Sequence, residues 1–144
     1  MTDVPFEKVL RIEARPEIVF AHFTDPARFA QWMGIEHKLD PVPGGVFRVN
    51  INGEDVAVGE FVEVKPPQRV VFTWGWQGSV DVPPGSSTVE VDLVPEGSGT
   101  VLHFTHRGLP TAATESHGQG WDHFLPRLAM RASGIDPGPD RWLK

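Results

Sequence analysis

SHGQGWDHFLPRL, Ser116–Leu128, is the stretch on which the fold of this chain turns. Its two histidines invite a metal or general-base reading. Its spacing invites another. His117, Trp121, Phe124 and Leu128 recur at intervals of four, three and four, which is one face of an α-helix. Leu125 and Ala132 widen that stripe, and the pattern predicts a helix from about Ala112 to Ala132. Gly118 and Gly120 each weaken such a helix by about 1 kcal/mol relative to alanine. Pro126 removes a backbone donor and frees the carbonyl of Asp122, so a kink is expected there. His117 and His123 are six residues apart, which is roughly 240° around a helix, so they diverge.

The residues upstream read as strands. FEKVLRIEA (6–14) alternates, with Leu10, Ile12 and Ala14 on one face. Pro16 suits the first turn of a helix carrying Val19, Phe20 and Phe23. TDPARFAQWM restarts a helix with Thr24 or Asp25 as N-cap. Five strand-like runs follow: GGVFRVNIN (44–52), AVGEFVEV (57–64), RVVFTWGW (69–76), STVEVDLV (87–94) and TVLHFTHR (100–107). Val70, Phe72, Trp74 and Trp76 share one face, and so do Leu102, Phe104 and His106. The second run does not alternate cleanly, so the side taken by Glu60 stays open, with exposure the commoner fate of a glutamate. KPPQ, PPGSS and PEGSG supply turns, and the whole reads as an antiparallel meander with one apolar face. The GIDPGPDRWLK tail reads as a loop.

Composition narrows the function. The chain has 144 residues, 40% hydrophobic, enough for one domain with a real core. A net charge of -6 with no basic run argues against nucleic acid. No apolar stretch approaches the roughly 20 residues of a membrane span, and MTDVPFEKV has no signal-peptide character, so the cytoplasm is expected. Without cysteine there is neither thiolate nor disulfide chemistry. His103 and His106 fall on opposite faces of their strand, and no histidine pair has the spacing of a metal motif, so no metal and no cofactor are expected. His22, His37, His103 and His123 read as ordinary surface or boundary residues. His106 and His117 lie on apolar faces, either as satisfied boundary histidines or as the few polar groups of a cavity.

Five blocks in order carry a resemblance: ARPEIVFAHFTDPARFAQWM, PVPGGVFRV, GEFVEVKPPQRVVFTWGW, STVEVDLVPEGSGTVLHFTHRGLP and HGQGWDHFLPRLA. From about Val9 to Ala132 the chain resembles the family named after the activator of heat-shock protein 90 ATPase. That family lies within the START-like or SRPBCC superfamily, which also holds polyketide cyclases. The resemblance implies an α+β helix-grip fold, with a curved antiparallel sheet wrapped around the long C-terminal helix and a cavity between them. Residues 1–144 would form a single START-like domain.

The expected function is binding of a small apolar or aromatic ligand in that cavity. Its wall would be Trp32, Phe47, Phe72, Trp74, Trp76, Phe104 and Trp121. His106 and His117 would be polar handles, with Glu60 joining them if it turns inward. The competing reading of those aromatics is a solid core. Two further classes stay open: a cyclase or hydratase using His106 as acid or base with Glu60 as partner, and a co-chaperone-like interaction module. Arg69, Thr88, Glu90, Asp92 and Thr105 make the outer face of the sheet polar and leave a protein partner unsupported.

Overall fold

The structure is a computed structural model that describes residues 4–143; residues 1–3 and 144, the ends of the expected 1–144 domain, lie outside the described residues. Strands β1 (Phe6–Ile12), β2 (Glu36–Leu39), β3 (Val46–Asn50), β4 (Val56–Lys65), β5 (Arg69–Trp74), β6 (Ser87–Glu96) and β7 (Gly99–Arg107) form one antiparallel sheet in the order β1-β7-β6-β5-β4-β3-β2. Helices α1 (Pro16–Thr24) and α2 (Pro26–Phe29) carry the chain from one edge strand to the other, and α3 (Thr111–Ala132) packs across the inner face. This is the helix-grip architecture, a curved sheet around a long C-terminal helix.

Alternation in the sequence places most of the sheet. In β6 and β7, Val89, Val91, Leu93, Leu102, Phe104 and His106 turn inward and are buried. The ambiguity of β4 has a structural cause. Phe61 faces Phe72, yet Glu63 faces Val71, so the register slips by one residue at a bulge. Inward positions are odd before it (Ala57, Gly59, Phe61) and even after it, where Val64 packs on the core. Glu60 therefore points outward, opposite Val46, and is exposed.

The sequence reading misses one strand. EHKL has no β-branched residue and two exposed charges, so β2 owes its existence to pairing with β3 rather than to local preference. The second helix is shorter than expected. Asp25 caps it by accepting the Ala27 N–H at 3.0 Å, but regular helix stops at Phe29 and the chain turns so that Trp32 is buried. Helix α3 runs unbroken through Pro126, which sits on its exposed side, where a missing backbone bond costs least.

The centre of the core is an aromatic stack. Phe47 lies flat on Phe72 at 4.2 Å, with Phe29 and Phe61 edge-on to it at 5.9 and 5.7 Å. Since Phe47 is 0% exposed, its removal opens a cavity bordered by four aromatic rings, Phe29, Phe61, Phe72 and Trp74. Phe47→Ala should lower the unfolding free energy by about 3–5 kcal/mol, read from the urea midpoint at constant slope. A loss below about 1 kcal/mol would mean that this stack is not the centre of the core.

Candidate functional site

Beyond Trp74 the fifth strand gives way to a loop that folds back on itself. The Trp76 N–H donates to Val82 O and the Gln77 N–H to Val56 O, which fixes Trp76 above the end of the sheet. Helix α3 faces it with Trp121 and Phe124, and the C-terminal tail returns to place Trp142 alongside. Between them lies an open cleft of about 540 Å³. Met33 and Ile51 complete its apolar wall, and Asn52, Asp55, Gln77, Ser79 and Ser116 stand among its lining residues. The ring centroids of Trp74 and Trp121 are 5.1 Å apart, and those of Trp74 and Trp76 are 5.3 Å apart.

The two glycines of α3 do different work. A Cβ on Gly118 would meet the Phe6 ring at 2.9 Å, so this glycine lets the helix close onto β1. A Cβ on Gly120 would meet nothing within 4 Å, and Gly120 lines the cleft. Of the two, only Gly120 leaves space at the cleft, and Gly118 leaves space for Phe6.

His106 is sealed behind this wall. The Ser87 hydroxyl donates to Trp74 O at 2.7 Å, so it accepts from the His106 Nε2–H at 2.8 Å. The unprotonated Nδ1 then accepts the Trp121 indole N–H at 3.0 Å. Both ring nitrogens are used by the neutral imidazole. Burial, reinforced by the nearby His117, pulls the pKa down to about 3. His117 lies next to it, with ring centroids 5.5 Å apart. Its Nδ1–H donates to Ala113 O at 2.8 Å, and its Nε2 accepts the Trp76 indole N–H at 2.8 Å. Burial lowers its pKa against the raising effect of the Ala113 bond. Neither histidine has a nitrogen to spare for a ligand. The unpartnered polar atom of the wall is elsewhere: the Trp74 indole N–H is buried and makes no hydrogen bond among the described residues.

Four of the ten residues expected at a site line the cleft: Trp74, Trp76, His117 and Trp121. His106 supports Trp121 from behind, buried rather than at the rim. Phe47, Phe72 and Phe104 share an inward face with the cleft residues but lie deeper, where the layers close, and they are core. Trp32 is core too, stacked on Phe29 at 4.9 Å with its N–H given to His22 O at 2.9 Å. Glu60 is exposed on the opposite face and takes no part. His22 was expected near the surface, yet it is 1% exposed, with its Nδ1–H donated to Ile18 O at 2.8 Å and its pKa lowered chiefly by burial. Half-buried His37 donates its Nε2–H to Met33 O at 2.6 Å. Half-buried His123 holds the tail, stacking on Trp142 at 4.0 Å and bonding Asp140 at 2.8 Å, while His103 is exposed as expected.

Met33, Ile51, Asp55, Gln77, Phe124 and Trp142 line the cleft without having been expected there. Phe124 was legible as a helix-face residue. Trp142 carried one signal, a large aromatic in an otherwise polar tail. Asp55 and Gln77 sit in turns and carried none.

The sealed imidazole makes acid stability a test. In the unfolded chain a histidine takes up its proton near pH 6.5, whereas His106 in the fold resists protonation down to about 3. Between those values the unfolded state binds one proton more. The contribution is therefore fully present above about pH 6.5 and is lost as pH falls toward 3, at about 1.4 kcal/mol per pH unit. His22, His37 and His117 are lowered too and add to the slope in the same direction. His106→Gln keeps an acceptor for Trp121 and a donor for Ser87 but does not titrate. Urea unfolding between pH 4 and 7 should show its slope reduced by about one proton. An unchanged slope would refute the buried, neutral assignment.

Residues 13–132 match the sequence profile described as "Activator of Hsp90 ATPase homolog 1-like protein". No curated protein matches the chain. Among solved structures it is similar to an AHSA1-like protein from Rhizobium etli, at 45% identity and a TM-score of 0.76, covering 98% of this chain and 89% of that one. It is also similar to CalU16 from Micromonospora echinospora, at 32% identity and a TM-score of 0.74, covering 90% and 76% of the two chains. An HSP90 activator from Plasmodium falciparum is similar at 26% identity and a TM-score of 0.73, covering 86% and 92%. The profile match, spanning five sixths of the chain, and the Rhizobium likeness over nearly all of it agree with the helix-grip geometry: this chain belongs to the activator of Hsp90 ATPase homologue 1-like family.

Proposed function

We propose that this protein is a cytoplasmic binding module for a small apolar, aromatic ligand held between the end of β5 and helix α3. The observation that carries the reading is the cleft of about 540 Å³ walled by Trp74, Trp76, Trp121 and Trp142, in a molecule whose other large aromatics pack solidly. That volume lies within the roughly 300–1,000 Å³ typical of small-molecule sites. Tryptophan offers broad apolar area with little rotamer entropy to lose, which suits a flat guest. The Gln77 amide in the lining is its donor for an oxygen or nitrogen on the ligand.

A cyclase or hydratase using His106 and Glu60 finds no support in this geometry. His106 has both nitrogens engaged and a pKa far below working pH, and Glu60 is on the other face of the sheet. The outer face gives little to an interaction module. There Arg69 bonds Glu63, Glu90 and Asp92, and Arg107 pairs with Glu90. The exposed Val9 and Val94 lie on different strands, with His103 and Asp92 in the ladder row of Val9.

Gly120→Leu tests the reading. Its side chain enters open space, so the fold has room for it, and leucine favours the helix by about 0.8–1 kcal/mol over glycine. Titration with a neutral aromatic probe such as 2-naphthol, followed by calorimetry, should give saturable binding to the natural chain. The variant should bind at least about tenfold more weakly while melting at an equal or higher temperature. Equal affinity in the variant would mean that the probe does not use the cleft, and no saturable binding to the natural chain would sink the proposal.

A further inference from the structure

The charge around the cleft says more about its ligand than its apolar walls do. Among the described residues no lysine or arginine lines it, while Asp55 does. One Asp55 oxygen accepts from the Asn52 amide at 2.8 Å, and among the described residues the carboxylate forms no ion pair. Of the ionised residues adjoining the lining positions in sequence, Glu54, Glu115 and Asp122 are acidic and Arg141 is basic. Asp122 is already paired with Lys8 at 2.7 Å, and Glu54 too has a partner. The chain as a whole carries -6. The indole faces are themselves electron-rich and attract cations within about 6 Å of the ring centre, tryptophan most strongly. Trp74 and Trp121, 2% and 3% exposed and in ring contact at 5.1 Å, back the wall, and half-buried Trp76 and exposed Trp142 give a guest the indole surface it can reach. An anionic ligand would meet the same surfaces with the sign reversed and no guanidinium or ammonium in the lining to hold it.

We infer that the cleft selects a cationic aromatic molecule, a flat ring system bearing an ammonium or quaternary amine, with the rings against Trp76 and Trp142 and the charge toward Asp55. This rests on the cleft being the ligand site and adds the sign of the ligand's charge. A carboxylated, sulfonated or phosphorylated aromatic of the same size is rejected. Arg141, exposed beside Trp142, is the opposing charge, and its loss should tighten the cation modestly.

A matched series separates shape from charge: 2-naphthol, 2-naphthyltrimethylammonium and naphthalene-2-sulfonate, titrated calorimetrically into the full chain at low and at physiological salt. The cation should bind about tenfold or more tighter than the sulfonate, with naphthol between them and the spread narrowing as salt rises. Asp55→Asn keeps the exposed turn but removes the charge. It should weaken the cation roughly three- to fivefold and leave naphthol unchanged, with thermal melting confirming that the fold is intact. If all three bind alike, or the sulfonate binds best, the charge inference is wrong while the cleft remains the site. If the cation binds Asp55→Asn as well as the natural chain, the role of Asp55 is wrong and the inference falls with it. If none of the three binds, the proposed function fails as well.

Discussion

The hydrogen bond from the Trp121 indole to His106 Nδ1 fixes the long helix to the sheet. It is the first link of a chain that continues from His106 Nε2–H to the Ser87 hydroxyl and from that hydroxyl to Trp74 O. The links lie on α3, β7, β6 and β5 in turn, so one buried polar line crosses four elements. Each donor has one acceptor along it, and the chain works only with His106 neutral and protonated at Nε2. Removing one member leaves its neighbours buried and unpaired, at roughly 1–3 kcal/mol each. Apolar packing would tolerate small rotations of the helix; this line does not, and it holds Trp121 at a set angle between Phe104 at 4.6 Å and Trp74 at 5.1 Å. The cleft inherits its shape from that constraint.

The same line explains why a histidine on an apolar face misleads. From sequence, His106 could be a cavity's polar handle or a satisfied core residue, because alternation reports which face a side chain takes and not what lies beyond it. Ser87 gives no sign that it would supply the partner, since it only begins a strand. Sequence fixes the face of Phe47, Phe72, Phe104, Trp74 and Trp76 equally well. It cannot separate those that fill the core from those that wall a cleft, because the difference is position along the strand relative to the crossing helix. Phe72 lies under closed layers and Trp74, two residues on, lies where they part. Six of the seven strands were legible; β2, whose EHKL has no pattern of its own, was not, and β4 was illegible where the bulge reverses its parity.

Gly118 and Gly120 show how finely the site is placed along the helix. Two residues apart, they face different neighbours: Gly118 gives its space to Phe6 of β1, and Gly120 gives its space to the cleft. Each costs the helix about 1 kcal/mol, which a helix with so few apolar residues in its first half tolerates only because it is anchored elsewhere. Its anchors are the buried Trp121, Phe124, Leu125 and Leu128. Stability is therefore concentrated in the second half of α3, and the site is built where the helix is locally weakest. That arrangement is characteristic of binding sites, which are drawn from the less stable part of a fold.

The walls of the cleft differ in how firmly they are held. Trp74 and Trp121 belong to regular elements and to the buried hydrogen-bonded line. Trp76 is held by its loop and by one bond to His117. Trp142 belongs to the tail, kept in place by coplanar stacking on His123 and by Asp140, whose Oδ1 is shared between the His123 Nε2 at 2.8 Å and the Trp142 N–H at 2.9 Å. Arg127 adds a bond to Gly138 O at 3.0 Å. The inner walls are thus set by the core, and the outer wall by a short strap of surface contacts, with Trp142 still 47% exposed. Trp74 and Trp121, 2% and 3% exposed, keep their places without the tail. Changes of sequence in the tail can then reshape the outer wall of the cleft without disturbing the fold behind it.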